Sequence, residues 1–220
     1  MGPSPTGLTP LLLFPLIRHF SNALSPVLLK TPLTPNQITA LSTVLGLITA
    51  ACFAWGNETV RQTGAALFVL SYILDNCDGD IARAKSLSSD FGAHFDTMSD
   101  WIVHALFFLG LGYGVTSQGG SAWWLGLGMT AALGSTINYF IGAFHPGPDT
   151  PASAPATVLP QGLTQTVLYF FREIFRADFC FIVLALSFFD ATWILLPLSA
   201  IGAQVYWVTG FIPGARRFHV

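Results

Sequence analysis

Six aspartates lie between positions 75 and 100 of this chain, and the spacing of four of them is that of a chemical site. Asp75 and Asp78 form a D-x-x-D pair, and Asp96 and Asp100 form a D-x-x-x-D pair. Both pairs lie in or beside stretches apolar enough to enter a lipid bilayer. An ionised carboxylate there costs about 2.5–3.5 kcal/mol even on lenient insertion scales, and it persists mainly where it has a function.

The two pairs are predicted to face each other. In a helix, Asp75 and Asp78 share one face with Ala82, and Asp96 and Asp100 share a face of the next helix. The short connection makes these helices antiparallel neighbours. Carboxylates that converge at one depth repel unless a cation lies among them. Hard oxygen ligands suit Mg²⁺, Mn²⁺ or Ca²⁺ rather than zinc, so the spacing predicts a divalent-metal site.

A divalent ion held by carboxylates at a membrane surface indicates a phosphate or pyrophosphate substrate, which completes the ion's coordination. Arg83 and Lys85 add positive charge nearby, and arginine is the better bidentate phosphate ligand. An attacking hydroxyl needs a base, and Asp100, a turn deeper than Asp96, is the best-placed candidate. Small residues leave room for a ligand or for close helix approach: Gly79, Ala82 and Gly92.

The composition predicts a membrane protein of one domain. Of the 220 residues, 52% are hydrophobic and only 9% are charged, with a mean hydropathy of +0.60. A soluble domain usually carries about 25% charged residues. The chain has no long basic run, so a nucleic-acid partner is not indicated.

Six segments are long enough to cross a bilayer as helices, which gives an all-α membrane protein. They are 38–55, 62–82, 93–116, 121–143, 174–190 and 192–212. We predict that residues 1–33 form an interfacial N-terminal segment with an amphipathic helix, and that residues 34–216 form the six-helix bundle. The segment from His145 to Gln161, rich in Pro, Ala, Gly and Thr, is typical of a flexible connection.

Basic residues predict the orientation. With six spans, eight of the nine fall on the side of the termini, and only Arg61 falls opposite. The eight are Arg18, Lys30, Arg83, Lys85, Arg172, Arg176, Arg216 and Arg217. By the positive-inside rule, the acidic pairs then face the cytoplasm from an integral membrane protein, of the bacterial inner membrane type.

The acidic stretch resembles the signature of the CDP-alcohol phosphotransferase family. Asp75-x-x-Asp78-Gly79-x-x-Ala82-Arg83, followed after eight residues by Gly92-x-x-x-Asp96-x-x-x-Asp100, matches that signature at all eight fixed positions. The run Thr34-Pro35-Asn36-Gln37-Ile38-Thr39 is similar to the family's P-N-x-x-T element. The six spans and the N-terminal helix also fit, so the resemblance covers nearly the whole chain.

The resemblance implies transfer of a substituted phosphate from a CDP-linked donor to an alcohol, with release of CMP. It implies Mg²⁺ or Mn²⁺ on Asp75, Asp78 and Asp96, and Asp100 as a base that also touches a second ion. It further implies a homodimer in membrane lipid. Around the CDP moiety it implies these substrate-binding residues: Asn36, Thr39, Gly79, Ala82, Arg83 and Gly92.

Several residues leave two interpretations open. Asn36 is either a nucleotide contact or the N-cap of the first span. His104 either orients Asp100 or is a satisfied polar residue of the bundle, which is the favoured interpretation. Arg172 and Arg176 are either an anion site for a phosphorylated acceptor or ordinary interfacial anchors. Two further aspartates fit neither shared face and are interpreted as bystanders at the membrane boundary: Asp80 and Asp90.

The sequence also indicates which donor and which acceptor the reaction uses. CDP-diacylglycerol is the favoured donor, in phospholipid biosynthesis, and Ser42 argues against glycerol phosphate as acceptor because members that use it tend to carry arginine there. The stretch from Leu74 to Arg83 is more similar to the inositol-phosphate branch. Alternative donors are CDP-inositol and CDP-aminoalcohols. From other classes, a divalent-metal transporter and a non-catalytic scaffold are the alternatives.

Overall fold

The computed structural model describes residues 15–144 and 177–209, and every regular element in these ranges is helical. Within them, seven α-helices occur: α1 Leu16–Leu28, α2 Pro35–Trp55, α3 Glu58–Ala84, α4 Asp90–Ser117, α5 Trp123–Phe144, α6 Phe179–Phe188 and α7 Leu195–Thr209. A 3₁₀ turn, Thr192–Ile194, leads from α6 into α7. The predicted all-α architecture is confirmed for these ranges.

Side chains at its N-terminus fix where α2 begins. Thr34 is its N-cap: the Thr34 hydroxyl accepts from the Gln37 amide, and the Gln37 side chain accepts from the Thr34 amide. This reciprocal capping box is a strong helix-start signal. Asn36 is therefore the second helical residue, and the interpretation of Asn36 as the cap is wrong.

The helices that carry the aspartates also begin at side-chain caps, each with a single hydrogen bond instead of a reciprocal pair. The Asn57 side chain accepts from the Val60 amide at 3.1 Å before α3, and the Ser89 hydroxyl accepts from the Gly92 amide at 3.0 Å before α4. Both are favoured N-cap residues. Asp90 follows its cap as the first residue of α4, where a carboxylate complements the helix dipole.

Helix α2 lies at the centre of the site-bearing part, because it packs against both α3 and α4. Close approach to α4 depends on glycine: a Cβ at Gly110 or Gly114 would overlap backbone carbonyls of α2. Hydrogen bonds join α2 to α3, from the Thr49 hydroxyl to the Gly64 carbonyl at 2.9 Å and from the Ser71 hydroxyl to the Ser42 carbonyl at 2.7 Å. Because α2 contacts both helices, it determines how α3 and α4 are placed relative to each other.

Helices α3 and α4 meet mainly through long side chains. The fully buried rings of Phe68 and Phe107 stack with centroids 4.9 Å apart. One turn nearer the aspartates, the Tyr72 hydroxyl and His104 Nε2 are 2.7 Å apart. The predicted meeting of the two helices is confirmed, but a side-chain layer fills the space between them. At the end of that layer, carboxylates replace the aromatic rings.

The remaining helices enclose this unit. Helix α1 packs on α3, α5 packs on α4, α6 packs on α3, and α7 packs on α5. At the end far from the aspartates, the Arg61 guanidinium donates to Gln118 Oε1 at 2.6 Å and to Asp190 Oδ1 at 2.7 Å. These hydrogen bonds join the start of α3 to the turns near Gln118 and near Asp190.

Among the described residues, two helices are long and apolar enough to cross a membrane, α2 and α4. Three predicted segments lie within one helix each: 38–55 in α2, 62–82 in α3 and 93–116 in α4. The fourth, 121–143, begins two residues before α5, which starts at Trp123. Segment 192–212 corresponds to the 3₁₀ turn and α7, and its last three residues lie outside the described ranges. Segment 174–190 contains α6, ten residues long, and its first three residues also lie outside.

A buried carboxylate anchors α1. Asp178, 2% exposed, accepts from the backbone amides of Leu16 at 2.8 Å and Ile17 at 2.9 Å. Since the first amides of a helix lack partners within it, this carboxylate substitutes for a local cap.

We expect Asp178→Ala to lower the free energy of unfolding by about 1–3 kcal/mol, because it leaves amide donors without an acceptor. The melting temperature of the purified protein in detergent measures this effect. Asp178→Asn keeps one acceptor oxygen and should fall between wild type and Asp178→Ala. Equal melting temperatures for all three proteins would show that α1 does not depend on Asp178.

Candidate functional site

Three carboxylates from two helices form a compact cluster. Asp75 and Asp78 extend from α3 and Asp96 from α4, and one oxygen of each lies within 4.8 Å of the others. Asp78 is only 6% exposed, and Asp75 and Asp96 are half-buried. The structure thus brings together the three residues expected to be metal ligands.

The surroundings of this cluster fit a cation. Asp96 Oδ1 is buried and has no hydrogen-bond partner within the described part of the chain. A buried oxygen of this kind costs free energy unless a donor or an ion satisfies it. Three like charges this close also repel one another. Because every donor in the cluster is a carboxylate oxygen, the site suits Mg²⁺, Mn²⁺ or Ca²⁺.

Thr39 of α2 contacts this cluster directly. Its hydroxyl donates to Asp78 Oδ2 at 2.5 Å, and Thr39 is 3% exposed. The resemblance placed Thr39 near the nucleotide, and the structure places it on a carboxylate of the cluster. Such a bond orients one oxygen and leaves the other for a ligand. The sequence held no signal for this contact beyond the P-N-x-x-T element, since the two residues are 39 positions apart.

We expect Thr39→Val to lower the affinity for Mn²⁺ about tenfold, because Asp78 loses the bond that orients it. Electron paramagnetic resonance of free Mn²⁺ during a titration measures this affinity. Thr43→Val is the matched control: the Thr43 hydroxyl donates to the Thr39 carbonyl of its own helix at 2.7 Å and not to a carboxylate. Equal affinities for Thr39→Val and Thr43→Val would exclude the orienting role.

Asp100 lies one turn further along α4, and its side chain is accessible to solvent. It lines a small polar cavity together with Asp75 of the cluster and with Ser99, whose buried hydroxyl has no partner among the described residues. A carboxylate beside the cluster but open to solvent can accept a proton from a substrate that enters from outside.

Both ring nitrogens of His104 bond to groups other than the Asp100 carboxylate. Its Nδ1 is 2.8 Å from the Asp100 backbone carbonyl, and its Nε2 is 2.7 Å from the Tyr72 hydroxyl. Since a carbonyl only accepts, Nδ1 carries a proton. The favoured prediction, a satisfied polar residue, is confirmed.

The small motif residues lie where the three helices converge. A Cβ on Gly92 would come within 3.2 Å of Asn36 Oδ1, so α2 and α4 meet at this glycine. A Cβ on Gly79 would come within 3.4 Å of Arg83 Nη1, so the guanidinium lies over the backbone beside Asp78. Half-buried Ala82 lies on the same helix, one turn beyond Asp78.

Lys85 is not part of the site. Its ammonium group donates to the carbonyls of Thr31 at 2.8 Å and Leu33 at 2.9 Å, in the link between α1 and α2. The expectation that Lys85 adds charge beside the carboxylates is therefore wrong. Arg172 and Arg176, the expected second anion site, lie outside the described residues.

Comparison with known proteins gives matches to the motif and to the fold. The family model of CDP-alcohol phosphatidyltransferase matches residues 32–208. A protein named bifunctional IPC transferase and DIPP synthase from Rubrobacter xylanophilus is 41% identical over 91 residues, 41% of this chain and 20% of that protein. A CDP-diacylglycerol–glycerol-3-phosphate 3-phosphatidyltransferase from Rickettsia felis is 38% identical over 69 residues, 31% of this chain and 38% of that protein.

A likeness in fold covers more of the chain. The crystal structure of a phosphatidylinositol phosphate synthase from Mycobacterium tuberculosis, with CDP-DAG bound, matches with a TM-score of 0.57 over 90% of this chain and 96% of that one. The sequences are 19% identical, so the likeness concerns the fold. The curated relatives above are matched over less than two fifths of their own length.

Proposed function

The chain belongs to the CDP-alcohol phosphatidyltransferase family, and we propose that it transfers a phosphatidyl group from CDP-diacylglycerol to an alcohol, with release of CMP. The observation that carries this proposal is the three-carboxylate cluster, with Arg83 beside it on α3 and Asp100 one turn beyond it on α4. These groups supply metal ligands, a phosphate contact and a base within one site.

Each side chain has a distinct role in the proposed reaction. Asp75, Asp78 and Asp96 hold Mg²⁺ or Mn²⁺, which neutralises phosphate charge when bound. Arg83 binds an anionic oxygen of the donor's pyrophosphate. Asp100 accepts the proton of the acceptor hydroxyl. The acceptor oxygen then forms a bond to the phosphorus that carries the diacylglycerol, and the bond from that phosphorus to CMP breaks, so that CMP leaves with the electron pair.

The membrane arrangement belongs to the same proposal. We place six spans across the membrane, α1 at the interface, and the site at the cytoplasmic face of a bacterial inner membrane, because eight of nine basic residues fall on that side. Residues 34–216 form the catalytic bundle after the interfacial segment 1–33. A homodimer is the proposed assembly, on the family resemblance.

For the acceptor, we propose a phosphorylated polyol of the inositol-phosphate kind. The structurally similar protein from Mycobacterium tuberculosis is a phosphatidylinositol phosphate synthase. Ser42, in place of an arginine, argues against glycerol phosphate. In this proposal, Arg172 and Arg176 bind the acceptor's phosphate through charge-assisted hydrogen bonds.

A panel of substrates tests the proposal. The purified protein in lipid vesicles is given radiolabelled CDP-diacylglycerol, CDP-inositol, CDP-choline or CDP-ethanolamine, with inositol phosphate, inositol, glycerol phosphate, serine or diacylglycerol as acceptor. We expect CMP release only with Mg²⁺ or Mn²⁺, and fastest with CDP-diacylglycerol and inositol phosphate. Release only from CDP-inositol or a CDP-aminoalcohol would assign the chain to those alternative donors.

The divalent-metal transporter is the alternative from another class, because intramembrane carboxylates also mark ion pathways. The carboxylates favour the enzyme, since they cluster at one end of α3 and α4 instead of following a path across the bundle. Uptake of Mn²⁺ into proteoliposomes without CMP release from any donor would favour the transporter.

A further inference from the structure

Asp80, interpreted from the sequence as a bystander, accepts hydrogen bonds from three side chains. Its Oδ1 accepts from Arg83 Nη2 at 2.5 Å and from Arg18 Nη1 at 3.4 Å, and its Oδ2 accepts from the Ser25 hydroxyl at 3.2 Å. Arg83 is one turn further on the same helix, whereas Arg18 and Ser25 belong to α1. Both oxygens are thus engaged, and α1 restrains the rotation of the carboxylate.

The bond to Asp80 holds Arg83 in one place although its side chain is 63% exposed. The guanidinium lies over Gly79, the neighbour of Asp78, where the missing side chain leaves it room. Arg83 Nη1 lies nearest to the position of a Cβ on Gly79 and, within the described ranges, has no hydrogen-bond partner. One edge of the guanidinium is therefore held by Asp80, and the other lies over Gly79, the residue that follows Asp78.

We propose that Asp80 is a positioning residue: it fixes the Arg83 guanidinium for the donor's pyrophosphate, and α1 fixes Asp80 through Ser25 and Arg18. The inference rests on the proposed function. A long, exposed arginine samples many rotamers, and a bound anion must restrict them. A guanidinium that is already held loses less freedom when the anion binds, which raises the affinity.

The direction in which Asp80→Asn changes the affinity for an anion distinguishes a positioning role from a purely electrostatic one. Removal of the Asp80 charge makes the site more positive, so charge alone predicts tighter binding of an anion. Positioning predicts the opposite. We expect Asp80→Asn to raise the Kd for CDP and the KM for CDP-diacylglycerol about fivefold, the upper end for a partly exposed ion pair, with kcat within about twofold of wild type.

The experiment measures CDP binding by isothermal titration calorimetry, in Mg²⁺, and the kinetics of CMP release. Asp80→Asn is compared with Asp80→Glu, which keeps the charge and should recover part of the affinity, and with Asp90→Asn, an exposed control. Arg83→Lys and the double variant Asp80→Asn/Arg83→Lys complete a double-mutant cycle. If Asp80 acts through Arg83, Asp80→Asn adds nothing to Arg83→Lys.

The outcomes are distinct. A Kd for CDP that is unchanged or lower in Asp80→Asn overturns the positioning role, as does full additivity with Arg83→Lys. A lower melting temperature with unchanged Kd and KM would assign Asp80 to anchoring α1 alone, and also overturns it. A wild-type protein that binds no CDP overturns the proposed function together with this inference, whereas one that binds CDP and releases CMP leaves the function standing whatever Asp80 does.

Discussion

Asp100→Asn is expected to lower the rate of CMP release at least about a hundredfold, the lower limit for loss of a general base. Asparagine has the shape of aspartate but cannot take a proton from the acceptor hydroxyl. The Asp100 side chain is accessible to solvent and makes no hydrogen bond within the described ranges, where only the Asp100 backbone carbonyl contacts His104. The substitution should therefore leave the fold and the Kd for CDP unchanged.

The measurement is the steady-state rate of CMP release at saturating donor and Mg²⁺, with melting temperature and CDP affinity as checks on folding. Asp90→Asn, the same change in the first turn of α4, is the matched control and should keep full activity. A Mg²⁺ titration separates two roles of Asp100: a lower maximal rate at unchanged midpoint indicates the base, and a raised midpoint indicates an added role as ligand. Undiminished CMP release in Asp100→Asn would contradict the assignment.

Asp78→Asn is expected to abolish metal-dependent activity and to stabilise the metal-free protein. Asp78 lies within 4.8 Å of two other carboxylates, and loss of one charge relieves their repulsion. The Thr39 hydroxyl can still donate to the asparagine oxygen, so the link between α2 and α3 remains. We expect the Kd for Mn²⁺ to rise at least about a hundredfold, the upper end of the effect seen for residues that merely orient metal ligands.

Melting temperatures measured in EDTA and in Mg²⁺ check both parts of this prediction. Wild type should gain stability from Mg²⁺, because an ion that binds only the folded state shifts the unfolding equilibrium. Asp78→Asn should melt at or above wild type in EDTA and gain nothing from Mg²⁺. Asp90→Asn should behave as wild type in both. A variant that is less stable than wild type in EDTA, yet still stabilised by Mg²⁺, would exclude Asp78 as a ligand.

The carboxylate cluster could be predicted from the sequence because its members follow helical spacing. Asp75 and Asp78 are three residues apart and Asp96 and Asp100 four, so each pair shares a face wherever a helix forms, and the short link brings the faces together. The helices themselves were predicted from their apolar length, whereas the caps Thr34 and Ser89 became known only from the structure. Both the helices and the carboxylate pairs could therefore be predicted from residues that are close together in the sequence.

Contacts between distant segments could not be predicted in this way. Thr39 reaches Asp78 because α2 packs against both α3 and α4, and a pattern within one helix does not encode that packing. Asp80 was interpreted as a bystander because its partners Arg18 and Ser25 lie in α1, more than 50 residues earlier in the sequence. Lys85 looked like a phosphate contact because its charge is adjacent in sequence, but it caps the carbonyls that follow α1.

The central claim is that three clustered aspartates support a metal-dependent transfer from a CDP-linked donor. The most direct measurement is the yield of CMP and of new phospholipid from doubly labelled CDP-diacylglycerol, with EDTA-treated protein before and after addition of Mg²⁺. We predict no products in EDTA and, once Mg²⁺ is added, one CMP for each molecule of phospholipid. CMP formed in EDTA, or no CMP with any CDP-linked donor in Mg²⁺, would contradict the claim.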